Sequence, residues 1–303
     1  AQGCESDAGV VHRYAKAGGD VKFLEIMEGI KKNPPETVFL IGAGVVENAW
    51  LPFENAILEH SKRADRPWVH ASDISSYLLT RARTLKIAAE RNTDTAQLAR
   101  LGAEQAANLV LGLKKQLAEE YRKAQSTQAI RLRIFEARDY VRELQKGLTT
   151  IITTNWDLLL DDYYKNEFSI LHVHGDIDSP TLLYLPTETA FDGFFGSEKG
   201  ARQIRKAQAI FIELIQNASR LVIFGNSLSR DDAEMVMVLG EVFGSPNIKT
   251  QEFFVIDPDE APVIRLRFLS SSNLITRIDP SRPDLSIEYR WDSSGSLERK
   301  ELK

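Results

Sequence analysis

The sequence predicts an α/β protein, a doubly wound parallel sheet carrying a helical insertion. Three observations lead there. Short apolar runs recur, such as TVFLI at 37–41 and FFVI at 253–256, and the absence of polar alternation in TVFLI suits a strand covered on both faces. Segments with helical spacing alternate with these runs. Glycine-rich or polar clusters follow directly on the strands, at the ends where open α/β sheets bind ligands.

The elements follow in order. Residues 1–20 are small and polar and read as a loosely held arm. FLEIMEGIKK (23–32) has apolar residues at helical spacing and is stopped by Asn33-Pro34-Pro35, which closes a first segment, 1–35. TVFLI runs into Gly42-Ala43-Gly44, and LPFENAILEHSK (51–62) reads as a helix, so 36–71 is a strand–turn–helix unit. Residues 72–147 hold three Ala-, Leu- and Arg-rich segments that read as helices of an insertion. The α/β pattern resumes over 148–260: strands at 149–155 and 168–175, a helix at 201–218, a strand at 220–227, a helix at 231–243 and a strand at 251–259. The remainder, 261–303, ends in a strand, a Ser-Ser-Gly turn and a charged tail, suited to an edge hairpin or a partner contact.

Composition narrows the function. The 303 residues allow one large domain or two smaller ones, and 43% hydrophobic content is enough for a substantial core. A net charge of -5 gives no global pull toward nucleic acid or anionic membrane. The cluster Lys114, Lys115, Arg122 and Lys123 is a local candidate for nucleic-acid contact, diluted by Glu119 and Glu120. Arg81, Arg83, Lys86, Arg91 and Arg100 are adequately explained as a solvated face. The single cysteine, Cys4, forms no intrachain disulfide and no cysteine-rich zinc site, and it fits a reducing cytoplasm. No apolar run is long enough to span a membrane, and the N-terminus lacks the apolar stretch of a signal peptide.

The chemistry-bearing residues cluster at strand ends. Gly42-Ala43-Gly44 suits either close approach of a pyrophosphate to backbone N–H groups or a plain strand–helix turn. Thr153-Thr154-Asn155-Trp156-Asp157 pairs an amide, which can hold ribose hydroxyls or a water, with a carboxylate, which can accept from a carboxamide. Either residue could instead cap the next helix. In His172-Val173-His174-Gly175 the two histidines would share a strand face. No third ligand is apparent, so a metal is not expected. His174, next to glycine, is the better general base. Gly225 and Ser227 could contact phosphate or ribose. Asp257 could bind a ribose diol or serve as a turn residue before Pro258.

Taken in order, GAG…LP at 42–52, TTNWD, HVHG, GNSLSRDD at 225–232 and VIDPD at 255–259 resemble the sirtuin family, and within it the divergent bacterial NAD-consuming domains of phage-defence systems. The resemblance spans roughly 36–260 and leaves the insertion unaligned. It implies a Rossmann-type sheet with NAD as substrate. Gly42, Ala43 and Gly44 would embrace the pyrophosphate. Asn155 would bind the nicotinamide ribose and Asp157 the carboxamide, with His174 as general base. Gly225 and Ser227 would lie against the adenosine side, and Asp257 near its ribose. The implied reaction is hydrolysis of NAD to nicotinamide and ADP-ribose by a cytoplasmic effector. Such effectors form homo- or hetero-oligomers and are triggered by assembly or by a sensor subunit.

The chain departs from the family in three places. The four zinc cysteines of the deacylases are missing, which argues against a protein deacylase or ADP-ribosyltransferase. Val46 stands where a serine is usual, and Trp50 where a glycine precedes the Leu51-Pro52 pair. Phe53-Glu54-Asn55 replaces Asp-Phe-Arg. The altered loop suits the alternative, a non-catalytic nucleotide-binding or interaction subunit, and Trp50 could fill the pocket or stack on a ring.

Overall fold

The computed structural model describes residues 20–64, 71–90, 96–133, 138–165, 167–188, 197–229, 233–282 and 285–302. The expected N-terminal arm, Cys4, Arg91 and the Arg230-Asp231-Asp232 stretch lie outside them, apart from Asp20. The expected α/β architecture is present. Helix α1 (Asp20–Lys32) precedes strand β1 (Thr37–Ile41), a one-turn helix and the short β2 (Val46–Glu47). Then come α2 (Leu51–Ala64), α3 (Ala71–Glu90), α4 (Ala96–Ser126), the short β3 (Arg131–Leu132) and α5 (Tyr140–Leu144). The second half runs β4 (Thr149–Thr153), α6 (Leu159–Tyr164), β5 (Ser169–His172), α7 (Glu198–Asn217), β6 (Arg220–Phe224) and α8 (Ala233–Gly244). The chain closes with β7 (Glu252–Ile256), α9 (Ala261–Ser270), β8 (Leu274–Ile278), β9 (Ser286–Trp291) and β10 (Leu297–Leu302).

Eight strands form one sheet in the order β10-β9-β8-β7-β6-β1-β4-β5. The six from β8 to β5 are parallel. Numbered by their own succession they run 6-5-4-1-2-3, the Rossmann order. The order reverses beside β1, between β4 on one side and β6 on the other, and there the strand ends open a crevice.

The buried strands explain their own sequences. Alternate residues point to opposite faces, and both faces are covered. Phe39, Ile41, Ile151, Val222 and Phe224 pack with residues of α2–α6, while Val38, Leu40, Ile152, Leu221 and Ile223 pack with residues of α1 and α7–α9. A strand covered twice has no polar face to show, so TVFLI and RLVIF read as continuous apolar runs. The C-terminal segment continues the same sheet, with β9 and β10 as an antiparallel edge hairpin. The expected charged tail is the outermost strand, LERKEL, and its charges blunt that edge against further strand pairing.

One element differs from expectation. The third insertion segment is not a long helix. Arg131 and Leu132 pair antiparallel with Glu47 and Val46, and Arg133 N donates to the Val45 carbonyl at 2.9 Å. The backbone there is committed to a ladder beside the glycine turn. Helix α5 then starts from a side-chain cap, where Asp139 accepts from Val141 N and Arg142 N at 3.1 and 3.2 Å.

Candidate functional site

A cleft of about 430 Å³ opens at the C-terminal ends of β1, β4, β6 and β7. Ala43 and Gly44 reach it after β1, Asn155 to Asp157 after β4, Gly225 to Ser227 after β6 and Asp257 after β7. His174, just beyond β5, closes one side. The fold therefore brings eight of the nine expected residues to one surface. Gly42 is buried just behind it.

The glycines answer a demand of the fold itself. A Cβ on Gly42 would lie 2.8 Å from Asn226 Cα and from the Gly225 oxygen, and one on Gly44 would lie 2.8 Å from the Gly225 oxygen. Gly225, at φ 57°, occupies the left-handed region, and its own Cβ would meet Val45 N at 2.7 Å. The β1 and β6 loops thus touch backbone to backbone, where no side chain fits. Their N–H groups are used in that contact: Gly42 N donates to the Phe224 carbonyl at 3.0 Å and Gly44 N to the Gly225 carbonyl at 2.8 Å.

The β4 loop is built tightly. The Thr153 hydroxyl donates to the Ile41 carbonyl at 3.2 Å and accepts from Asn155 N at 3.1 Å. Asn226 Nδ2 donates to the Thr154 hydroxyl at 3.3 Å, and its Oδ1 accepts from Leu228 N at 2.9 Å. Asn155 is only 7% exposed, yet neither its Nδ2 nor its Oδ1 has a hydrogen-bond partner among the described residues. Buried polar atoms are nearly always satisfied, so such a group needs a reason. The Trp156 indole Nε1 beside it is likewise buried with no partner among the described residues. Asp157 is buried and accepts from Leu159 N at 3.1 Å. Burial pushes its carboxyl up to about 6, against the pull of that hydrogen bond and of His172.

The two histidines do not share a face, because β5 ends at His172 and the chain turns. His172 points away to Asp161 and the Asn155 carbonyl, at 2.9 and 3.0 Å. His174 lies against Tyr184, ring centroids 5.1 Å apart and nearly parallel. Gly175 makes this possible. At φ 73° it turns the chain so closely under 182–183 that a Cβ would stand 2.4 Å from the Leu182 oxygen. Tyr184 N then donates to the His174 carbonyl at 2.8 Å.

Asp257 takes the expected turn role and also reaches the cleft. Its Oδ1 accepts from Asp259 N at 2.8 Å. Burial raises its pKa. Trp50 is 49% exposed at the cleft and meets Phe53 edge-on at 5.7 Å.

Sequence reasoning missed the wall supplied by the insertion. Tyr121 of α4 lines the cleft and donates to the Ala49 carbonyl at 2.7 Å. Burial and the Asp157 charge hold its phenol protonated, with a pKa well above 10.0. Three further contacts seat the 184–188 loop. Lys114 Nζ meets Glu188 Oε1 at 2.7 Å with both side chains fully buried, Arg83 donates to the Thr187 carbonyl at 2.8 Å, and the Ser76 hydroxyl meets that of Thr187 at 3.2 Å. This corrects two expectations. Arg83 is not simply part of a solvated face. The cluster Lys114, Lys115, Arg122, Lys123 is no single patch, since Lys114 is buried and Arg122 bonds the Ile177 carbonyl. Among the described residues no three His, Cys, Asp or Glu side chains gather as a metal would require, and no helix is long and apolar enough to cross a membrane. Compared with protein-family models, curated proteins and solved structures, the chain matches none.

Proposed function

We propose that the cleft binds NAD and that the chain cleaves its nicotinamide–ribose bond, releasing nicotinamide and ADP-ribose. The observation that carries this reading is the Asn155 carboxamide, buried in the cleft wall with both polar atoms unpartnered among the described residues. A ligand offering a hydroxyl or amide completes it. The position supports a dinucleotide, because Rossmann-ordered sheets take one at the reversal point. The cleft volume lies within the ordinary range for small-molecule sites.

In this reading Asn155 orients the ribose beside the scissile bond. Asp157, ionised at neutral pH, accepts from the carboxamide N–H. The positive charge that develops on the ribose is stabilised by nearby carboxylate. His174, held flat against Tyr184, takes a proton from the attacking water or from a ribose hydroxyl. Gly225 and Ser227 lie along the adenosine side and Asp257 at its ribose diol. The resemblance to the sirtuins points to the same assignment.

A binding-only reading has its own support. The Gly42 and Gly44 N–H groups are spent on the β6 loop, which leaves fewer donors for a pyrophosphate, and Trp50 stands in the cleft. Measuring nicotinamide release separates the two. Turnover in the wild type that falls by about a hundredfold or more in Asn155→Ala and His174→Ala supports the hydrolase. Tight NAD binding with no release, even at high protein concentration, selects the binding module.

A further inference from the structure

His172 was expected beside His174 and instead turns into the protein, where its side chain is 9% exposed. Its Nε2 lies 2.9 Å from Asp161 Oδ2 of α6, and its Nδ1 lies 3.0 Å from the Asn155 carbonyl oxygen. Both partners accept and neither donates. A neutral imidazole carries one N–H and can satisfy only one of them, whereas an imidazolium satisfies both. Three acidic groups bear on the ring: Asp161 on α6, Asp176 in the loop after β5 and Asp157 after β4. Burial is the largest single influence and pulls the ring's pKa down. The hydrogen bond and charge of Asp161, the charge of Asp176 and the Asn155 carbonyl outweigh it and carry the pKa up to about 9.

We propose that His172 is a positioning residue, a doubly donating imidazolium that clamps the main chain of Asn155 onto α6 and so fixes the direction of the Asn155 carboxamide in the cleft. The Asn155 backbone is then held on both sides, by Thr153 at its N–H and by His172 at its carbonyl. Its side chain needs such a hold, because no hydrogen-bond partner among the described residues orients it. Loss of the His172 charge removes one of the two bonds and frees the loop. The kinetic consequence rests on the NAD-cleaving reading above, but the charge state does not.

The test has two arms. In the ligand-free protein, nitrogen NMR of the His172 ring should show both nitrogens protonated at neutral pH and a midpoint near 9. Asp161→Asn should lower that midpoint toward the ordinary histidine value of about 6.5. In the kinetic arm, nicotinamide release should fall along an alkaline limb with the same midpoint, and Asp161→Asn should move that limb down with it. His172→Gln should lower kcat by about tenfold or more, since misplacement of a positioning group by about 1 Å is costly, and should abolish the limb. A ring singly protonated at neutral pH would overturn the proposal. So would pH profiles that coincide in the wild type and Asp161→Asn. If the wild type releases no nicotinamide, the functional reading fails, and the NMR midpoint still decides the clamp.

Discussion

Replacing Lys114 by methionine should cost about 3–5 kcal/mol of folding stability, because it leaves the Glu188 carboxylate buried without its cation. Both side chains are completely buried, and methionine matches the length of the lysine stem, so the loss measures charge more than volume. Glu188 also accepts from Leu185 N at 2.8 Å. The pair therefore holds the 184–188 loop in the shape that seats Tyr184 against His174. The double variant Lys114→Met/Glu188→Gln should recover much of the loss, since a neutral amide keeps the Leu185 bond and buries no ion. Urea unfolding of the wild type, the single variant and the double variant checks this. A single variant within about 1 kcal/mol of the wild type would mean that the pair is not what fastens the insertion to the cleft.

Asp157→Asn should act in the opposite direction and stabilise the protein while removing activity. Burial raises the Asp157 pKa from 3.8 to about 6. At about 1.4 kcal/mol per tenfold change in proton affinity, keeping this carboxylate ionised in the fold costs up to about 3 kcal/mol at neutral pH. The sign follows from linkage. The unfolded chain gives up this proton at lower pH than the folded one, so the cost is absent below about 3.8, grows between there and about 6, and is complete above. The asparagine variant carries no such cost, and its Oδ1 can still accept from Leu159 N. The variant should thus be more stable than the wild type at neutral pH, with the difference vanishing toward pH 4. Thermal melts at several pH values read it out. Equal stabilities at neutral pH would contradict the burial of a charged Asp157. A fall in nicotinamide release alongside the gain would mark a site that trades stability for chemistry.

What was legible in the sequence, and what was not, follows from which forces are local. The parallel strands were legible because they are sandwiched between two helical layers, which makes 37–41, 221–224 and 253–256 nearly continuous apolar runs and fills 149–153 with β-branched residues. The site residues were legible where they stand immediately after those strands. Asn155, Asp157, Gly225 and Asp257 reach one cleft because the Rossmann order brings their strands side by side. The third insertion segment misled, because its helical composition yields to pairing of 131–132 with the β2 segment, a contact more than eighty positions away in the chain. The histidine pair misled because the strand stops at His172. Gly175 then turns the chain, and a period-two argument holds only inside a strand. The insertion's side of the cleft left no local signal. Tyr121, Tyr184 and Glu188 arrive through tertiary packing, and Lys114 looked like one member of a surface basic run. Asn226 was the exception that could have been found, as an amide directly after a strand-end glycine.

The central claim is that the Asn155 carboxamide is completed by NAD, and a calorimetric titration of NAD into wild type and Asn155→Ala tests it most directly. The wild type should show saturable binding, and a variant that melts like the wild type should show an affinity lower by about tenfold or more, since a buried hydrogen-bonding partner is worth about 1–3 kcal/mol. Absence of binding to the wild type, or equal affinity in both proteins, would contradict the claim.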